Sequence, residues 1–314
     1  MTISQLEYVL SVAKYQNFTE AAKYSFVTQP TLSMQIQKLE EELSIKIFNR
    51  KKKPIELTEI GKKIVEQAKL IVNESQRIND IVDQQKGYIG GEFRIGIIPT
   101  IIPTLLPMFL KIFIRKYPKV NLIINELTTE EIIRQLSNGN LDVGIAATPL
   151  ENTNLKERVL YYEPFVGFIP KDHRLFSSKK LHANDLDLSE ILLLEDGHCF
   201  KNNVINLCNP AKLQKTKHFE LESGSISTLI KLTKENLGMT LLPYLDTLDI
   251  QEKDKELLRE FHTPAPAREV SLIYLKSQLK IQLIEALKTS IDSVVRGAIN
   301  FSDVKIISPL QKKN

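Results

Sequence analysis

Two thiols are the residues whose type and spacing could do chemistry: Cys199 and Cys208, the only cysteines of the chain, nine residues apart and preceded by Leu194-Glu195-Asp196-Gly197-His198. A thiol reacts as its thiolate, so its surroundings decide what it can do. Cys199 leaves an apolar run through a glycine turn and opens a helix-like stretch. There a helix N-terminus, a protonated His198 and Lys201 would favour the anion, and Asp196 would oppose it. On their own, two such thiols read first as small buried hydrophobes. They are too few for the disulfide framework of a secreted scaffold. A bond between them would also meet a geometric obstacle. As a continuous helix the segment puts their Cα atoms about 13 Å apart at ~1.5 Å per residue, whereas a disulfide tolerates no more than about 7 Å. If the two join, Phe200 to Leu207 must give up most of that helix. Asn202, Asn203 and Asn206 are weak helix formers that accept turns, which lowers the cost. Closing so short a loop would restrict the unfolded chain by roughly 2 to 3 kcal/mol, enough to offset a short helix.

A second set of side chains suits nucleic acid. Thr28-Gln29-Pro30 reads as a helix start, with Thr28 as the cap and Pro30 in the first turn, where no N–H is required. The helix that follows, to about Leu43, turns Leu32, Ile36, Leu39 and Leu43 inward and leaves Thr31, Ser33, Gln35 and Lys38 on its other faces. That is the chemistry a recognition helix offers to base edges and phosphates in a major groove. Asn49-Arg50-Lys51-Lys52-Lys53-Pro54, followed by Ile55-Glu56-Leu57-Thr58, predicts a short hairpin with a basic tip suited to phosphates or a minor groove. Each feature alone also fits an amphipathic helical domain with a solvated lysine patch.

The elements that must position these groups follow from periodicity. Leu6, Val9, Leu10 and Ala13 form one helical stripe, and Ala21 and Ala22 in the next short helix permit close packing. From Thr58, the seam Ile60, Ile64, Ala68, Ile71, Ser75, Ile78 and Val82 predicts one long helix with an apolar edge that needs a partner. Gly87 to Gly91 breaks it. Beyond the break, strands at Phe93 to Ile98, Val120 to Glu126 and Leu141 to Ala146 alternate with helices at Pro103 to Lys116 and Glu130 to Ser137, as in a parallel sheet with crossovers. The alternation returns at Ile191 to Leu194, Ser225 to Glu235, Met239 to Leu242, Val270 to Leu275 and Leu279 to Val295. Two α/β lobes joined near Glu163 to Gly167 and Pro264 to Arg268 satisfy this order, with the strand exit at Ile98-Pro99-Thr100 facing the interlobe cleft. The stretch from Asn300 to Asn314 carries little pattern and is expected to be partly disordered.

At 314 residues and 42% hydrophobic content the chain is a globular protein of two or three domains. Its 42 Lys and Arg against 38 Asp and Glu do not by themselves indicate a nucleic-acid partner. The first residues lack a signal-peptide pattern and no apolar run approaches a membrane span, so a cytoplasmic protein is expected.

The motifs Phe18-Thr19-Glu20-Ala21-Ala22, Thr28-Gln29-Pro30-Thr31-Leu32-Ser33, Gln37-Lys38-Leu39-Glu40, Phe48-Asn49-Arg50 and Leu57-Thr58-Glu59-Ile60-Gly61 resemble the N-terminal signature of LysR-type transcriptional regulators. The resemblance implies a winged helix-turn-helix (mainly α) over 1–58, a linker and dimerisation helix with a hinge over 59–90, and a two-lobed α/β periplasmic-binding-protein-like effector domain over 91–300, then a tail over 301–314. Lobe I would comprise about 91–163 and 268–300, and lobe II about 164–267. It places the helix-turn-helix at 18–37, with Thr28, Gln29, Pro30, Thr31, Ser33, Gln35, Lys38, Arg50, Lys51, Lys52 and Lys53 as DNA-facing positions. It implies as partners double-stranded DNA, a second copy of the chain in a homodimer or homotetramer, and RNA polymerase, with no cofactor and no catalytic turnover.

Leu194 to Cys199 followed by Cys208, together with Ile98-Pro99-Thr100 and Thr129, is similar to the redox site of the hydrogen-peroxide sensors of that family. By that resemblance Cys199 is the peroxidatic thiol, Cys208 resolves its sulfenic acid in a reversible disulfide, and Thr100, Thr129 and His198 surround the peroxide. Those sensors commonly carry arginine and aspartate just after the cysteine, where this chain has Lys201 and Asn202. Taken singly, Thr100 could be a strand-end cap and Thr129 a helix N-cap. Three competing functions stand beside this one. A small organic effector in the interlobe cleft leaves the thiols idle, a thiol peroxidase has no use for a DNA-binding half, and a secreted solute-binding protein lacks its leader.

Overall fold

The computed structural model describes residues 1–85, 89–195, 197, 199–208, 224–299 and 303–310. They divide into two compact units, Met1–Tyr88 and Ile89–Asn314.

In the N-terminal unit, α1 (Ile3–Tyr15) is capped by Thr2, whose hydroxyl accepts from the Gln5 N–H while the Gln5 side chain accepts from the Thr2 N–H. Asn17 caps α2 (Phe18–Tyr24) and Thr28 caps α3 (Gln29–Glu42), with Pro30 in the first turn. Leu6, Val9, Ala21, Ala22, Leu32, Ile36 and Leu39 interlock in one core. The hairpin is a minimal pair, β1 (Phe48–Asn49) antiparallel to β2 (Glu56–Leu57), with the lysine run at its tip.

The long helix α4 (Glu59–Gln85) packs part of its apolar seam within its own unit. Val65, Ala68 and Val72 are buried in the unit's own core, whereas Ile60, Ile78 and Val82 of the seam are exposed. Gly61 sets the helix against the hairpin: a Cβ there would lie 2.1 Å from the Ile47 carbonyl oxygen. Gly61→Ala is therefore expected to destabilise the full-length protein by ~1–3 kcal/mol through overpacking. Gly297→Ala, in a helix where a Cβ meets nothing within 4 Å, should stabilise it by up to ~1 kcal/mol. Parallel denaturant titrations test both, and equal midpoints for the two variants would refute the close approach at Gly61.

The second unit is built on a sheet of order β4-β3-β5-β9-β6-β7. β3 (Gly91–Ile97) pairs parallel with β4 (Val120–Glu126) and β5 (Val143–Thr148). The crossovers are α5 (Ile102–Lys116) and α6 (Thr129–Ser137). β6 (Leu155–Phe168) and β9 (Ala265–Leu275) run antiparallel through both lobes, with Glu163 opposite Arg268 in the register. In lobe II, β7 (Thr240–Pro243) and β8 (Leu258–Arg259) pair with β6. Helices α7 (Cys199–Leu207) and α8 (Ile226–Lys234) complete that lobe, while α9 (Tyr244–Thr247) and α10 (Ile281–Ala298) pack on the lobe I core.

Two cores follow, one around Phe93, Phe109, Phe113 and Leu287, the other around Phe165, Phe168, Leu241 and Phe200. The strand predicted at Ile191 to Leu194 is reduced to a single bridge, Ile191 to Met239. Among the described residues no helix is long and apolar enough to cross a membrane. The expectation of a patternless tail is corrected over 303–310. There β10 (Val304–Ile306) pairs parallel with β9 at Ala265 to Ala267, and Ile307 is buried in the lobe II core. Val304-Lys305-Ile306 pairs beside β9 through a tertiary choice that local pattern does not report.

Candidate functional site

Cys199 is the first residue of α7 and is reached through Gly197, whose φ of +90° suits glycine alone. The thiol is half-buried and packs against the lobe I core. Thr128, not Thr129, caps α6, in a reciprocal capping box with Glu131. That frees the buried Thr129 hydroxyl to face the other way, and its Oγ1 lies 2.9 Å from Cys199 Sγ. Burial pushes the Cys199 thiol up, while the Thr129 hydrogen bond and the Arg268 guanidinium pull it down. In this state desolvation outweighs both. His198, assigned to the peroxide pocket, and Asp196 lie outside the described residues.

Cys208 follows the last turn of the same helix, its N–H donating to the Val204 carbonyl at 3.1 Å. It is buried among lobe II side chains, and burial, aided by the charge of Asp187, pushes its thiol up to about 12. Both cysteines are free and an intact helix separates them.

Thr100 stands at the exit of β3 as expected, buried, but its direct partner is a residue the sequence reading did not single out. Arg268 donates from Nη1 to Thr100 Oγ1 at 2.9 Å and from Nη2 to the Thr100 carbonyl at 3.0 Å. The same guanidinium donates from Nε to Glu163 Oε2 at 2.9 Å, and Glu163 Oε1 accepts the Leu245 N–H at 2.9 Å. Arg268 also sits 5.5 Å from the centre of the Phe200 ring, directly beside Cys199 in sequence. This fully buried ion pair lies where the two crossing strands meet. Next to it, Asp246 is pushed up to about 7, first by burial and then by the charge of Glu163. The available signal was one charge in each of the two crossing segments, Glu163 in 163–167 and Arg268 in 264–268.

In the N-terminal unit, Thr28, Gln29, Pro30, Lys38, Arg50, Lys51, Lys52 and Lys53 are exposed, and Thr31, Ser33 and Gln35 are half-buried with partners inside the chain. Thr31 shares a hydrogen bond with Thr28, and Gln35 Oε1 accepts from Gln5 Nε2 at 3.2 Å. Arg50 reaches back to α3, donating to Ser33 Oγ at 3.1 Å and to Glu40 Oε2 at 3.2 Å. The buried Glu40 carboxylate also accepts the Ile47 and Phe48 N–H groups, which fixes the hairpin to the helix. Glu40 entered the sequence reading only as part of a family motif, without this bracing role.

Residues 3–62 match the bacterial regulatory helix-turn-helix model of the lysR family, and residues 86–295 match the LysR substrate binding domain. The chain is 33% identical over 274 residues to the hydrogen peroxide-inducible genes activator of Pectobacterium carotovorum subsp. carotovorum, a match covering 87% of this chain and 90% of that protein. It is 32% identical over 297 residues to the DNA-binding transcriptional dual regulator OxyR of Escherichia coli (strain K12), covering 93% and 96%. Its fold is similar to that of a full-length OxyR variant from Pseudomonas aeruginosa, with a TM-score of 0.74, 32% identity, and coverage of 93% of this chain and 98% of that one.

Proposed function

The chain belongs to the LysR family of bacterial helix-turn-helix regulators, and on that premise we propose that it is a transcription activator that senses hydrogen peroxide through Cys199. The observation that carries this reading is the half-buried Cys199 thiol, held 2.9 Å from the Thr129 hydroxyl at the start of a helix that keeps Cys208 away from it. In the first step the Cys199 thiolate attacks one peroxide oxygen. The O–O bond breaks, sulfenic acid forms, and the departing hydroxide takes up a proton to leave as water. Thr129, Thr100 and His198 are the polar groups around the peroxide, and the positive charge of Arg268 favours the anion that attacks.

In the second step Cys208 attacks the sulfenic sulfur. The S–O bond breaks, a second water leaves, and the disulfide carries the oxidation. Each thiol pair consumes one peroxide and stops until it is reduced again, so the protein signals without turnover. Cys208 is buried and protonated while α7 is intact, so this step waits on unwinding of the helix. Peptide mapping after brief peroxide treatment should find Cys199 and Cys208 in one disulfide, and a Cys199 that stays reduced at gene-inducing peroxide levels would refute the reading.

At the other end, α3 enters the major groove, with Thr28, Gln29, Pro30, Thr31, Ser33, Gln35 and Lys38 toward DNA and Arg50 to Lys53 on its phosphates. Two copies in a homodimer, paired through exposed positions of α4 such as Ile78 and Val82, or in a tetramer, would present two such helices to a two-fold operator and act on RNA polymerase in the cytoplasm. Changing Lys51, Lys52 and Lys53 to glutamine should lower affinity for all DNA sequences. It should also flatten the slope of log affinity against log salt by about 0.9 for each phosphate that is no longer neutralised. An unchanged slope in that triple variant would remove the hairpin from the interface.

A further inference from the structure

α7 is a poor helix by its own chemistry. Nine residues are too few to be stable alone, and Asn202, Asn203 and Asn206 are weak helix formers. Tertiary bonds hold it. The fully buried Asn203 donates from Nδ2 to the Ile307 carbonyl at 2.6 Å, and Asn206 donates from Nδ2 to the carbonyls of Ser308 at 2.9 Å and Leu310 at 2.7 Å. The two asparagines are three residues apart and share a helix face, so residues 307–310 form a strap along it. The strap also grips β9. The Ile307 N–H donates to the Ala267 carbonyl at 2.8 Å, directly before Arg268, and β10 pairs with Ala265 to Ala267. One terminal segment thus bonds both the helix that bears Cys199 and the strand that bears Arg268. A cavity of about 780 Å³ lies beside the strap, walled in part by Lys305 to Ser308 and by Asn206 and Leu207.

Resting on the disulfide reading above, we infer that Asn203 and Asn206 are positioning residues for the thiol switch: through the strap they hold α7 helical and the thiols apart, and the strap lets go when the thiols join. A disulfide brings the two Cα atoms within about 7 Å. Residues 200–207 then lose the helical spacing that aims both asparagines at 307–310, and the three side-chain bonds cannot all persist. By linkage, bonds present only in the reduced form resist oxidation.

The test equilibrates full-length protein with reduced and oxidised glutathione and measures the disulfide fraction. Asn206→Ala and a chain ending at Asp303 should each favour the disulfide at least tenfold relative to wild type, equivalent to about 30 mV in potential. Gly61→Ala, which loosens the other unit, should keep the wild-type equilibrium. Hydrogen exchange adds a readout without substitution: wild-type amides at 304–307 should lose at least tenfold protection on oxidation. Equal protection in both forms, or an Asn206→Ala equilibrium within twofold of wild type, would overturn the strap. If the shortened chain does not fold, Asn206→Ala decides. A wild-type protein that forms no Cys199 to Cys208 bond in this buffer would overturn the disulfide reading and the strap together, whereas a bond with an unmoved strap would overturn the strap alone.

Discussion

Cys199→Ser leaves the target genes at their reduced-state level at every peroxide concentration the cell survives. Serine is slightly smaller but keeps a hydroxyl that can hydrogen-bond Thr129, so the pocket and helix α7 stay in place. What it removes is the nucleophile: a hydroxyl does not attack peroxide at neutral pH, so neither sulfenic acid nor disulfide can form. Cys208→Ser separates the two steps. Cys199 still oxidises, and a sulfenate-trapping reagent should label it stoichiometrically, but no bond forms to keep α7 unwound, so induction is weak or brief. Reporter assays and mass spectrometry on the same cells check both. A full response from Cys199→Ser would leave a LysR-family regulator with some other ligand, the organic effector that the interlobe layout also accommodates.

Much of this architecture was legible because its signals are local. The three N-terminal helices follow from apolar spacing and from the cap Thr28, and β4 from Val120 to Glu126 is a short, largely apolar run. The parts that were not legible depend on residues distant in sequence. Glu163 and Arg268 are 105 positions apart and meet only because β6 and β9 pair in that register. β6 itself is masked by Pro164 and by the polar stretch Lys156-Glu157-Arg158. The strap bonds a helix more than 100 positions earlier. Thr128 and Thr129 are adjacent and chemically alike, and only Glu131 reaching back to Thr128 decides which one caps α6 and which one faces the thiol. On α4, Val65 and Val72 sit one position from the seam, so a single stripe could not reveal that the helix serves its own core as well.

Arg268→Gln and Glu163→Gln should both unfold more easily, yet they should move the chemistry of Cys199 in different directions. Each change leaves a buried charge without its partner, and breaking such a pair by removing one member costs roughly 3 to 5 kcal/mol. Both variants ought to lose that much in denaturant titrations, and Arg268→Gln also strips Thr100 of its donor. Reactivity separates them because only one of the two charges favours the thiolate. Arg268 pulls the Cys199 thiol down against the burial that pushes it up. Without it, the pH at which peroxide oxidation levels off moves upward, and below that point less thiolate is present at any given pH. Each unit of upward shift removes about tenfold of thiolate, but a more basic thiolate is the better nucleophile. With a Brønsted slope of about 0.4 to 0.5 the net loss is roughly three- to fourfold per unit. Glu163→Gln leaves the guanidinium in place without its counter-charge, so the levelling-off point should move no higher than in the wild type. Stopped-flow oxidation from about pH 7 to 11 on the folded fraction of each variant reads this directly. Equal slowing by both variants would mean that the ion pair acts on Cys199 only by holding the two crossing strands together, and that the field of Arg268 plays no part in arming the thiol.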